Sequence, residues 1–165
     1  MVHQHSHDTT PFVKTKSHCV VLCDGVSGPA NVGGLFRICD AMGVRELIFC
    51  NAEIDFNSPR LQRTSRNTHT TVPFRTSEAI STEIENYKDK DFLPVALELS
   101  NNSIPLQTLE TPKKLLLILG NERHGISPQI LEMVKVHTYI PLMGKNSSMN
   151  VVQAASIALY ALTKL

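Results

Sequence analysis

Three short polar stretches carry the residue types that could do chemistry, and each lies beside an apolar run. The first is Asn31-Val-Gly-Gly-Leu-Phe-Arg37, entered through Asp24-Gly25 and Ser27-Gly-Pro29. A helix opening of this kind offers main-chain N–H groups to an anion, because its first turn has no internal acceptors. Arg37 interrupts the apolar pattern Leu35-Phe36…Ile38-Cys39, and a cation in that setting calls for an anionic partner. The second stretch, Leu119-Gly-Asn-Glu-Arg-His-Gly-Ile-Ser127, contributes Glu122, a carboxylate suited to orienting Arg37 or to capping a helix. The third runs from Ile140 to Asn150, where Ser147, Ser148 and Asn150 crowd against an apolar C-terminal segment and can either cap it or hold a ligand. Neither nucleotide fingerprint is present: the first stretch lacks Gly-x-Gly-x-x-Gly spacing, and no Gly-Lys-Ser/Thr follows it.

The flanking segments are the ones that must position these residues. His18–Cys23, Arg45–Cys50, Phe92–Leu99, Lys114–Leu119 and Thr138–Pro141 read as strands, with a brief further one at Val72–Phe74. Lys114–Leu119 is apolar enough to be covered on both faces. Helical spacing places Leu35, Ile38, Cys39 and Met42 on one face, with Gly43 as the stop and Gly33 and Gly34 allowing close packing on the sheet. Further helices are expected over Ser77–Tyr87, with Ser77 as cap and Ala79, Ile80 and Ile84 inward, over Pro128–Val136, and from Asn150 onward. Strands alternating with helices predict an α/β fold, a mostly parallel sheet with helices on both faces. In such a sheet ligands sit beyond the carboxyl ends of the strands, which is where all three polar stretches fall.

The chain has 165 residues, which suits one domain with a single sizeable core. Residues 1–17, with His3, His5 and His7 alternating, read as a mobile solvated arm rather than a metal site, and no metal is expected; residues 18–165 form the domain. A net charge of +1 gives no global attraction to nucleic acid, so basic surface must be local. Arg60, Arg63 and Arg66 at helical spacing, with Lys14, Lys16 and Arg75 nearby, read either as a plain solvated basic helix or as a patch for a nucleic-acid backbone. Cys19, Cys23, Cys39 and Cys50 lie in or beside apolar runs without zinc-site spacing, and read as reduced, buried thiols. No apolar stretch approaches a membrane span and no signal-peptide core is present, which makes the cytoplasm the expected compartment and a membrane partner unexpected.

Asn31-x-Gly-x-x-x-Arg37, Leu119-Gly-Asn-Glu122-x-x-Gly125, and Ile140-Pro141…Ser148-Met-Asn150-Val before an Ala-rich helix resemble, in order, the three motifs of SpoU/TrmH-type RNA 2′-O-ribose methyltransferases of the SPOUT superfamily. The resemblance covers about residues 18–165. It implies a deep C-terminal trefoil knot, S-adenosylmethionine as cofactor, RNA (tRNA or rRNA) as substrate and a homodimer. It makes Asn31, Arg37, Glu122, Ser148 and Asn150 the catalytic set, with Glu122 positioning Arg37 or the substrate. Leu97, Gly120, Ile140 and Leu142, joined by Ser148 and Met149, would hold the cofactor. The chain departs from the family at Met149, commonly Leu, a swap that roughly conserves volume, and at the bulky basic pair Arg123-His124.

The implied reaction is an in-line displacement by a ribose hydroxyl, so positioning supplies much of the acceleration and the hydroxyl proton must leave. A guanidinium with a pKa above about 12 stays charged, which suits Arg37 to binding a phosphate and stabilising a developing alkoxide; proton acceptance stays open between Arg37, phosphate and water. No segment reads as a separate RNA-binding domain, so recognition is expected from the core, the arm and the second subunit, and a compact target such as tRNA is slightly favoured. The competing readings are a non-catalytic RNA-binding or assembly protein of the same fold, a base-methylating SPOUT enzyme, and an α/β enzyme acting on a small phosphorylated molecule.

Overall fold

A computed structural model describes residues 15–163, so His3, His5, His7 and Lys14 lie outside the described part of the chain. The elements are β1 (Cys19–Asp24), α1 (Pro29–Ala41), β2 (Glu46–Cys50), α2 (Pro59–Ser65), β3 (Phe74–Ser77), α3 (Ile80–Lys88), β4 (Leu93–Leu97), β5 (Ile104–Pro105), β6 (Leu115–Gly120), α4 (Pro128–Met133), β7 (Val136–Tyr139) and α5 (Val151–Leu162). The strands form one sheet in the order β3-β2-β1-β6-β4-β7-β5, every neighbouring pair parallel. Parallel neighbours require long crossovers, which places the helices on the two faces, as the sequence pattern anticipates.

Side-chain alternation divides the core. Cys19, Val21 and Cys23 of β1, with Leu47, Phe49, Leu115, Leu117 and Leu119, face α1, α2 and α5. Val20 and Leu22, with Ile48, Leu116 and Ile118, face α3 and α4. Leu116, Leu117 and Ile118 are fully buried, each such side chain contributing about 1.5–3 kcal/mol of burial. Proline stands in the first turn of α1, α2 and α4, where its fixed φ fits the helix and its missing N–H removes a donor that would have no partner. Gly43, at φ +61, ends α1 as expected, with its N–H on the Asp40 carbonyl.

Several local expectations change. Gly33 serves a helix contact rather than the sheet: a Cβ there would lie 2.6 Å from the Leu61 carbonyl of α2, and one at Gly34 would lie 2.9 Å from Val152 of α5. Ser77 ends β3 instead of capping α3, whose N-cap is the exposed Ala79. The strand expected at Val72–Phe74 begins at Phe74, because Val72 turns inward after a short 3-10 segment at Thr68–Thr70. Ser17, assigned by sequence to the arm, bonds through both its N–H and its hydroxyl to the Gly43 carbonyl.

Cys19, Cys23, Cys39 and Cys50 are buried and unpaired. Burial pushes Cys19 up to about 12 and Cys50 up to about 11, and raises the other two as well, so none offers a reactive thiolate. Arg75 leaves the proposed basic patch. Its guanidinium forks onto both carboxylate oxygens of Glu83 at 2.5 and 2.6 Å and reaches Glu46 at 3.1 Å, while Tyr87 donates to the other Glu46 oxygen. This network ties β2 and β3 to α3.

The Arg75 fork holds the Glu83 carboxyl below its ordinary 4.5, so its stabilisation is complete above that pH and disappears as the pH falls through the lowered value. Arg75→Met is expected to cost about 1–2 kcal/mol at neutral pH, a modest figure because the arginine is partly solvated. In urea melts the gap between variant and parent should narrow as the pH drops below 4.5.

Candidate functional site

The sheet order reverses direction at β1: β2 and β3 lie to one side, β6, β4 and β7 to the other. The loops leaving β1 and β6 therefore part above neighbouring strand ends and open a crevice at the carboxyl edge. The loop after β1 leads into α1, whose first turn presents Asn31. The loop after β6 is a tight hairpin in which Asn121 and Gly125 exchange two main-chain bonds of 3.0 and 2.9 Å. The Asn121 side-chain oxygen accepts the N–H groups of Arg123 and His124, and its amide donates to the Gly25 carbonyl at 2.7 Å. Glu122 sits at the hairpin tip. Gly120 has no room for a side chain, because a Cβ would overlap the Gly125–Ile126 peptide. Gly125 itself is left-handed at φ +68.

These constraints bring Asn31, Glu122 and Asn150 together. Asn31 donates its amide to Glu122 Oε1, and its oxygen accepts from Asn150 Nδ2 at 2.8 Å. Asn150 Oδ1 in turn accepts the Val152 N–H at 2.9 Å, capping α5. The capping reading of Asn150 is thus realised through its oxygen, while its amide nitrogen ties the helix start to Asn31. Ser148 lies two residues earlier in an exposed loop, and Met149 is half-buried.

Glu122 is engaged with Asn31 and not with Arg37. Arg37 lies six residues further along α1, about 9 Å by helical rise, exposed and without a hydrogen bond or ion pair among the described residues. An exposed guanidinium without a partner is equipped to receive an external anion. Arg60 and Arg63 are exposed on α2, which is anchored to α1 through Gly33; Arg66 is exposed just past the helix in a left-handed conformation at φ 49.

Leu97, Gly120 and Ile140 stand at or just beyond the ends of β4, β6 and β7, three adjacent strands, with all three half-buried and Leu142 beyond them 37% exposed. Strand-end main chain bordered by apolar side chains is a donor set that fits a purine nucleoside. Two surface hollows lie elsewhere, one of about 460 Å³ lined by Ser100, Asn102, Leu131, Lys135 and His137, the other of about 670 Å³ lined by Asn51, Glu53, Thr76 and Glu78. Neither includes any of Asn31, Arg37, Glu122, Ser148 or Asn150. Sequence reading assigned no role to Asp24, Asn51 and Glu98, all at strand ends; the signal available was a polar residue closing a buried strand.

A parallel sheet covered on both faces, with polar loops meeting at its switch point, defines an α/β protein of the doubly wound class. The chain superposes with a TM-score of 0.79 on the crystal structure of the A. aeolicus TrmH/SpoU tRNA modifying enzyme, at 28% identity over 90% of this chain and 75% of that one. The model of the SpoU rRNA Methylase family matches residues 18–160, and the chain belongs to that family. It is 29% identical over 147 residues to the tRNA (guanosine(18)-2′-O)-methyltransferase of Aquifex aeolicus, covering 89% of this chain and 69% of the relative. It is 28% identical over 146 residues to the 23S rRNA (guanosine(2553)-2′-O)-methyltransferase RlmP of Bacillus subtilis, covering 87% of this chain and 57% of the relative.

Asn150→Ala removes both the α5 cap and the bond to Asn31, and is expected to cost about 0.5–2 kcal/mol in a thermal or urea melt. Asn150→Asp keeps the capping oxygen but places a second acceptor against the Asn31 oxygen. Its stability should lie closer to the parent than that of the alanine variant.

Proposed function

We propose that this protein transfers the methyl group of S-adenosylmethionine to a ribose 2′-hydroxyl of RNA, with tRNA favoured over ribosomal RNA. The observation that carries this reading is the junction of Asn31, Glu122 and Asn150, one residue from each motif, with Arg37 left open on the helix that bears Asn31. Family membership and relatives named as 2′-O-methyltransferases of tRNA and of 23S rRNA support it.

Leu97, Gly120, Ile140 and Leu142, with Ser148 and Met149 from the neighbouring loop, are the residues assigned to the cofactor, which when bound supplies an electrophilic methyl group. The rest of the chemistry falls to the chain's own groups. Glu122 orients the Asn31 amide, and Asn150 fixes its other end, so the ribose meets a preset polar surface. Arg37 binds the phosphate beside the reacting nucleotide and stabilises negative charge developing on the 2′-oxygen. Arg60, Arg63 and Arg66 hold the RNA backbone. Residues 18–165 act as a single domain, threaded at the C-terminal end as a trefoil knot and paired as a homodimer, in the cytoplasm. The outer face of α5, where Ile157 is 43% and Tyr160 70% exposed, supports the pairing. Among the described residues no helix is long and apolar enough to cross a membrane.

Incubation with labelled S-adenosylmethionine and tRNA or ribosomal RNA separately, followed by digestion and mass spectrometry, should yield a 2′-O-methylated nucleoside from tRNA. A base-methylated product, or no transfer to either RNA, would overturn the reading. Arg37→Lys is expected to lower kcat about 100-fold, since an ammonium cannot reproduce the planar fork. The double variant Arg63→Glu/Arg66→Glu should weaken RNA binding and flatten its dependence on salt.

A further inference from the structure

Two carboxylates outside the three motifs grip the loop that carries Glu122. Asp24, the last residue of β1, is only 5% exposed; its Oδ2 accepts the Ser127 N–H at 2.9 Å and its Oδ1 accepts the Asn51 amide at 2.7 Å. Glu98, directly after β4, is half-buried; its Oε2 accepts the Ile126 N–H at 3.1 Å and its Oε1 accepts the Leu99 N–H at 3.0 Å. Because β6 runs between β1 and β4, the segment leaving β6 is held from both sides at two successive main-chain N–H groups. Gly125 is matched to this arrangement, since a Cβ there would overlap Glu98 Oε2.

Neither carboxylate makes an ion pair among the described residues. Burying an unpaired charge is costly, and an apolar strand end would close the core without that cost. For the buried Asp24 that cost is offset by its bonds to Ser127 and Asn51, and with the bond from Ile126 to Glu98 they fix where the hairpin stands.

We propose that Asp24 and Glu98 are positioning residues for the methyl transfer: a two-sided clamp on Ile126 and Ser127 that sets the hairpin so that Glu122 meets Asn31. This rests on the methyltransferase reading. Neither residue touches the groove partners Asn31 or Asn150 through a hydrogen bond, so the clamp acts on turnover through Glu122 and leaves RNA affinity alone.

The test compares the full chain with Glu98→Ala, Glu98→Gln and Asp24→Ala, each confirmed folded by its melt. The readouts are kcat and KM for the RNA that the parent methylates, and amide hydrogen exchange at Ile126 and Ser127. Glu98→Ala should lose protection at Ile126 and drop kcat about 10- to 100-fold with KM for RNA unchanged. Glu98→Gln, whose amide oxygen can still accept that N–H, should recover most of both. Asp24→Ala, which removes the acceptor altogether, should expose Ser127 and lower kcat in the same sense. Parental kcat in Glu98→Ala despite lost Ile126 protection overturns the proposal, as does a raised KM for RNA at parental kcat. A parent that methylates no RNA sinks the methyltransferase reading and the proposal with it, a result read from the parent alone.

Discussion

The side-chain amide of Asn31 has one donating end and one accepting end, and the molecule uses each on a different segment. Glu122, 91 residues away in sequence, takes the donor, and Asn150, 119 residues away, supplies the acceptor's hydrogen. An amide can satisfy this pair of demands in only one orientation, so the register of the two loops is specified by a single planar group. Everything that brings those loops to it follows: the crevice between β1 and β6, the hairpin closed on Gly125, and the capping of α5 by the same asparagine that reaches Asn31.

α1 is the element through which the rest communicates with that junction. Its Gly33 seats it against α2, its Gly34 against α5, and its buried face, Val32, Leu35, Phe36 and Cys39, against the sheet. The two exposed arginines of α2 are therefore held at fixed distance from Arg37 by rigid helix packing rather than by loops. A basic surface assembled in this way can match the spacing of phosphates on a structured nucleic acid without being reordered on binding.

Much of the fold was legible in the chain because it depends on local pattern. The run Leu115–Leu119 is apolar on both faces, and strand and helix periods alternate cleanly around Cys19–Asp24 and Pro29–Ala41. What the pattern left unread depends on contacts between distant segments. Gly33 and Gly34 announce close packing but not the partner, which is α2 or α5 according to the topology. Arg75 looks like any surface arginine until β3 is placed beside β2 and α3 behind them. For the site, the resemblance named Asn31, Glu122 and Asn150, but the pairing of Glu122 with Asn31 in place of Arg37 is a matter of under two helical turns, and no spacing rule resolves it. Asp24 and Glu98 escaped for a related reason. Their partners are main-chain N–H groups, which leave no trace in residue identity.

The last strand of the sheet on the β7 side, β5, is two residues long, and the second is Pro105. Proline has no N–H to offer, and so short an edge cannot template the pairing of a further strand. Fibril-like growth through backbone zippering is blocked on that side, which leaves β3 as the one sheet edge among the described residues long enough to pair with another strand.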